Sequence, residues 1–457
     1  MSTAASAGSP GCKGAEVAGD RAIIMLRGAA GKRDSRDILM EHEPAAKWLL
    51  DEYRGLDLTD ERGMLCGRML AGLGAQVTKV EPPGGDQARS IGPFYEDIPH
   101  PERSLFWFAW NADKRGITLD IETRDGRDLL RRLAGNADFL LESFDPGYLD
   151  DLGLGYSDLR RVNPQLVMTS ITAFGQTGPY AAYETSDITL MGMGGYLYMI
   201  GEPDRPPLRI GCDQAYLHAS GEAAVATVIA LYHRSATGQG QHVDVSAQAS
   251  LVTSTVNAIP FWELNGVVLE RSGEYRAGLT AARQRQMWES SDGYVIFYFA
   301  GGAFGARANV ALAQWLESEG LADDFVRSIE WENFDMALAT QEVEDHLEKL
   351  VGVLFKRYMT DQLYQEAIRR GLTLCPVSRP ADIVKDPQLR ARGYWVPVEH
   401  DELGRALEQP GPVVRSLAIP DGCRRAPRIG EHNTQVYQGE LSLNAEEMLI
   451  LKQSGVI

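Results

Sequence analysis

Between Tyr53 and Val245, short apolar runs alternate with helical patterns, and this rhythm constrains the fold more than any other feature. Leu65, Met69 and Leu73 are spaced four apart and share one helical face. Gly74 can end that helix, and Ala75 to Val80 then reads as a strand. The pattern returns: Asp125 to Leu133 reads as a helix, Gly135 as a stop and Ala137 to Leu141 as a strand. Leu166 to Ile171 is another apolar strand. Glu222 to Arg234 reads as a strong helix, Gly238 and Gly240 break it, and His242 to Val245 is a further strand. Strands separated by helices predict an α/β fold with a mostly parallel sheet covered on both faces.

The character changes from about Leu251 to Val398. A strand-like run, Gly293 to Phe299, precedes amphipathic helices at Val310 to Glu319 and Val343 to Tyr358. This predicts a smaller α+β domain. Ala445 to Gln453 reads as a helix again. A chain of 457 residues is too long for one small core. The expected division is a disordered N-terminal extension at 1–42, a large domain at 43–250, a small domain at 251–398 and a return to the large domain at 399–457. The extension has small residues but no basic region leading into a long apolar core, so it does not read as a signal peptide.

Other classes are disfavoured by charge and motif. The formal net charge of −18 argues against nucleic-acid and anionic-membrane partners, which would be repelled. It still permits an anionic ligand in a locally basic pocket. No apolar run approaches the ~20 residues that span a bilayer. The five cysteines include no C-x-x-C pair, which argues against a disulfide framework or zinc site and for reduced thiols in a cytoplasmic protein. There is no phosphate loop, no dinucleotide fingerprint, no H-E-x-x-H and no G-x-S-x-G. His218, His233 and His242 lie near one another without a partner at ligand spacing, so no metal is expected.

Longer strings carry more. Leu70 to Asp86 reads LAGLGAQVTKVEPPGGD, and Asn111 to Asp120 reads NADKRGITLD. Pro146 to Tyr156 reads PGYLDDLGLGY, and Asn163 to Tyr180 reads NPQLVMTSITAFGQTGPY. Thr237 to Ala247 reads TGQGQHVDVSA, followed near the end by DPQLRARGYW from Asp386 and APRIGEHN from Ala426. In order and spacing, from about Leu50 to Ile457, these strings resemble the class III coenzyme A-transferases, the CaiB/BaiF type that includes formyl-CoA and carnitine CoA-transferases. LDLTDERGMLCG and SDITLMGMGGYLY resemble the two-subunit succinyl-CoA:benzylsuccinate branch, which favours an aromatic or dicarboxylic acid as acceptor.

The resemblance implies a Rossmann-like large domain built from both ends of the chain, a small middle domain, and two subunits interlocked like links. The partner would be a second copy or a paralogous subunit, and a coenzyme A thioester would be a substrate rather than a resident cofactor. Lys114 and Arg115 are adjacent cations with Asn111 nearby, a cluster able to hold a phosphate by charge-assisted hydrogen bonds. On residues alone a solvated turn before a strand is the plainer reading; the resemblance favours the ligand. Lys79 and Glu81 close what reads as the first βα unit, where ligands of open α/β sheets sit, with a surface ion pair as the alternative. The resemblance adds Phe144 to the coenzyme-binding set.

Transferases of this family use an aspartate that attacks the donor thioester, giving a mixed anhydride and then an aspartyl-CoA thioester. Asp213, in IGCDQAYLHASGEAA, is the candidate nucleophile. Counting back from TGQGQ without a gap instead puts Tyr216 at that position. Asp187 matches a second active-site carboxylate. A helix cap is the alternative role for either carboxylate. Ser186 stands where the family's racemases carry a histidine, which disfavours racemase chemistry. Asp60 to Met64 replaces a family Q-A-G-P stretch, while Asp151 and Glu184 stand where formyl-CoA transferase has an arginine and a lysine. Three readings remain: a transferase using Asp213, a non-catalytic subunit whose partner holds the nucleophile, and a catalytically silent relative. Met191, Met193, Tyr196 and Tyr198 are expected to set substrate size or to be core.

Overall fold

The computed structural model describes residues 48–457, except 256, 277–281, 417 and 421. The expected extension at 1–42 lies outside the described residues. Six parallel strands form the main sheet: β1 (Arg54–Asp57), β2 (Gln76–Glu81), β3 (Arg115–Thr118), β4 (Phe139–Glu142), β5 (Val167–Thr172) and β6 (His242–Ser246). Their order is β3-β2-β1-β4-β5-β6, so the direction of winding reverses between β1 and β4. Every residue of β4 and β5 is buried, as expected of parallel strands covered on both faces.

One face is covered by helices α1 (Met64–Gly72) and α2 (Ala215–Thr237). Small residues let α2 approach closely: Ala215, Ala219, Ala223 and Ala224 pack with Cys66, Leu70, Phe139 and Ile171. The opposite face packs Leu129, Leu130 and Leu133 of the 124–135 helix against Leu140 and Met168, with Val436 and Tyr437 from late in the chain. Tyr437 Oη donates to the Thr118 carbonyl at 2.7 Å. His432 N donates to the Gly116 carbonyl, and Gly116 N donates back to His432 Nδ1. Asn433 Oδ1 accepts from Thr118 N at 2.9 Å. These bonds cover the free edge of β3.

The sequence rhythm differs from the structure at two points. The first strand is β1, the short RGLD run, so Lys79 and Glu81 end the second strand rather than the first. Helix α2 begins at Ala215, seven residues before Glu222, because its first turn is capped from outside by Asp187. It ends at Gly238, whose φ of 71° closes the helix in the left-handed conformation that glycine tolerates.

A second core surrounds a three-stranded antiparallel sheet of Met287–Glu289, Tyr294–Phe297 and Leu374–Pro376. Trp288, Phe297, Trp315, Leu347 and Phe355 fill it, the last three from the 302–318 and 341–356 helices. Among the described residues no helix is long and apolar enough to cross a membrane.

Candidate active site

The winding reversal leaves a crevice beyond the C-terminal ends of β1 and β4, the usual ligand position in such sheets. A cleft of about 590 Å³ opens there between Leu58 to Glu61, Pro82 and Pro83, Leu119 to Glu122, and Ser143 to Tyr148. Phe144 and Tyr148 form an aromatic wall, with ring centroids 4.8 Å apart and planes tilted by 29°.

Charge is buried under the cleft. Asp57 accepts from Thr59 N at 3.0 Å, Thr59 Oγ1 at 2.6 Å and Lys114 Nζ at 2.7 Å. Lys114 also donates to the Met64 carbonyl and to Asn111 Oδ1, at 2.8 and 2.9 Å. Lys79 donates to the Thr59 carbonyl and pairs with Asp86 at 3.2 Å. Arg89 grips Glu81 with two bonds of 2.6 and 2.8 Å. Burial pushes the Asp57 carboxyl up, but the ammonium groups of Lys114 and Lys79 outweigh it and hold the group below its ordinary value. Helix α1 can sit on this pair because residue 67 is glycine; a Cβ there would lie 2.2 Å from Asp57 Oδ2.

The expected phosphate-holding cluster is dispersed in this geometry. Lys79, Asn111 and Lys114 are buried and bonded to protein groups, not turned toward the cleft. Arg115 points elsewhere, to Thr78 Oγ1 at 2.8 Å and Glu440 Oε1 at 2.6 Å. Adjacent residues on extended chain face opposite sides, so Lys114 and Arg115 cannot act as one cationic pair. Phe144 alone of the expected coenzyme-binding set lines the cleft.

The head of α2 holds the carboxylate candidates. Asp187 Oδ1 accepts from Gln214 N and Ala215 N, both at 2.7 Å, and so caps this helix. Asp213 lies just outside the helix, its side chain 69% exposed and, among the described residues, paired only with Arg209, at 2.8 Å. Tyr216 occupies the first turn, half-buried beside Arg62. Burial raises its phenol pKa, against the opposing pull of the Arg62 cation. Arg62 binds both Asp60 oxygens through Nε, at 3.0 and 2.9 Å, and Ser143 Oγ donates to Asp60 at 2.8 Å. A chain of polar contacts thus joins Tyr216 to the crevice. Sequence reasoning read Asp60 to Met64 as a departure from Q-A-G-P and as part of the LDLTDERGMLCG resemblance, and assigned Arg62 no role.

Sequence reasoning also missed Glu142, at the buried end of β4. It accepts from Phe144 N at 2.8 Å, and burial, opposed by its bonds to Ser170 and Phe144 N, pushes its carboxyl up to about 7. Ser170 Oγ meets His242 Nε2 at 2.8 Å. A glutamate ending an apolar run gave no sequence signal of this. Of the residues expected to set substrate size, Met191 is core, while Met193 and Tyr198 are exposed.

The family model for CoA-transferase family III matches residues 51–433. The chain belongs to that family. A class III CoA-transferase relative is the succinyl-CoA:(R)-benzylsuccinate CoA-transferase subunit BbsE of Thauera aromatica, 36% identical over 84% of this chain and 92% of that protein. Succinyl-CoA–D-citramalate CoA-transferase of Chloroflexus aurantiacus is 32% identical over 89% of this chain and 98% of its own length. A crystal structure of a CaiB/BaiF family protein from Brucella suis superposes with a TM-score of 0.74 at 30% identity, covering 86% of this chain and all of that one. The α/β fold with its six-stranded sheet is therefore that of family III, and the relatives are CoA-transferases that act with succinyl-CoA on various acids.

Proposed function

We propose that this chain is a subunit of a succinyl-CoA-dependent CoA-transferase whose acceptor is an aromatic or dicarboxylic acid of the benzylsuccinate kind, and that a paralogous partner carries the nucleophilic aspartate. The observation that carries this reading is the head of α2. Tyr216 stands at the counted nucleophile position and sits against Arg62, while Asp213 lies outside the helix and exposed. A phenol above its ordinary pKa is a poor substitute for a carboxylate, and it cannot form an anhydride. The names of the two relatives supply the donor and the acid class.

An interlocked pair accords with the surface of α2. Val225, Ile229 and Tyr232 are 55, 61 and 77% exposed, and their spacing puts them on one face. Such a contiguous apolar stripe suits burial against a second subunit.

The competing reading keeps Asp213 as nucleophile within this chain. It is favoured by that carboxylate's exposure immediately before the helix. Trapping separates the two: the purified chain is incubated with succinyl-CoA and hydroxylamine, alone and with its partner. No adduct on this chain, with transfer once the partner is added, is the expected result. An adduct on Asp213, together with loss of transfer in Asp213→Asn, would overturn it.

A further inference from the structure

Six acids line the switch-point cleft, Asp60, Glu61, Glu81, Asp86, Asp120 and Glu122, and among the described residues no lysine or arginine does. Three of them are matched by their own cations: Arg62 on Asp60, Arg89 on Glu81 and Lys79 on Asp86. The Lys79 and Arg89 side chains are 0 and 1% exposed, so neither can reach a ligand. Glu61, Asp120 and Glu122 have no cation within ion-pair distance among the described residues. Burial chiefly, and then the neighbouring Asp60, raise the Glu61 carboxyl pKa, against the pull of the Arg62 cation. The remaining wall, Phe144 stacked on Tyr148, is aromatic and neutral.

Coenzyme A brings a 3′-phosphate and a diphosphate, all anionic near neutral pH. We infer that this cleft excludes the coenzyme's phosphates, so that a complete enzyme containing this chain binds coenzyme A at one site per pair, on the partner. The exclusion follows from this chain's own residues; the count per pair rests on the heteromeric reading above. Uncompensated like charges disfavour the wrong ligand, and salt screens that repulsion. The sign of the salt effect is therefore diagnostic. A cation-lined site loses affinity for coenzyme A as salt rises, whereas this cleft gains it.

The test is equilibrium binding of coenzyme A and of adenosine, a neutral probe of the aromatic wall, to the full chain at low and high salt. Glu122 is exposed and its Oε1 accepts from Tyr148 Oη at 3.1 Å, so Glu122→Gln, which keeps an acceptor there, controls Glu122→Lys for any shift of the aromatic wall. Coenzyme A should bind the unmodified chain more weakly than adenosine, and more tightly as salt rises. Glu122→Lys should tighten coenzyme A about tenfold relative to adenosine at low salt. If neither probe binds measurably to the unmodified chain, the gain in Glu122→Lys alone decides, and its absence overturns the inference. Coenzyme A binding more tightly than adenosine, and weakening with salt, also overturns it. In the purified pair, one coenzyme A is expected and two would refute the count. A lone chain that transfers coenzyme A would sink the heteromeric reading, yet leave the salt and charge-reversal results standing. Two coenzymes on an active pair would sink the inference alone.

Discussion

Asp57 and Asp213 are both carboxylates, yet they live in opposite surroundings. The Asp57 side chain is 0% exposed and fixed by Thr59 and Lys114, whereas that of Asp213 is 69% exposed and pairs with Arg209. A buried charge is held in place by what surrounds it, and removing its partner leaves an expensive orphan. An exposed pair is solvated with or without its partner, so its loss is barely felt in stability. The buried group builds the floor; any role of the exposed one has to be chemical.

The sharpest way to break that contrast is Asp57→Asn. It strands the Lys114 ammonium in the interior and should cost about 3–5 kcal/mol in denaturant unfolding. Adding Lys114→Met should recover most of the loss. If the single change costs no more than a surface substitution, the floor is not held by charge.

Glu142 extends the buried side of the comparison to pH. Its carboxyl moves from 4.5 in a free chain to about 7 when folded, chiefly through burial. The folded state then keeps a proton that the unfolded state has lost. Stability should fall as pH rises from 4.5 to about 7, by about 3 kcal/mol in all, and stay lower above that window. Glu142→Gln keeps the bonding groups and should flatten this slope, leaving the variant more stable than the parent above pH 7. Unfolding midpoints across the window check both statements.

Asp187 is intermediate. Asp187→Ala removes the acceptor for Gln214 N and Ala215 N and should cost about 1 kcal/mol, read from the same midpoints. Asp213→Asn should change stability by less than about 0.5 kcal/mol and, in the presence of the partner, leave transfer intact. Lost transfer would give Asp213 the chemistry.

Much of the frame was legible because long apolar runs end at glycines. Strands β2, β4, β5 and β6 fell close to their expected positions, and the final helix, Ala445–Gln453, matched to the residue. The short strand RGLD was not legible, since four residues with a charge and a glycine carry no period, and RGIT was read only as a strand following the turn at Lys114 and Arg115. The start of α2 was hidden for another reason: its cap comes from Asp187, distant in sequence. The candidate site was less legible than the fold. The strings around Lys79 and Lys114 mark family membership, but a string does not say where an ammonium group points. Here both turn inward to carboxylates.

The covering of the β3 edge has a consequence for synthesis. His432 and Asn433 reach β3 from 316 and 315 residues further along the chain. At roughly 5–20 residues per second on the ribosome, that edge stays bare for tens of seconds after it is made. An unpaired edge invites pairing with another strand. A nascent chain of this protein is therefore most in need of a chaperone between the emergence of β3 and the arrival of its late cover.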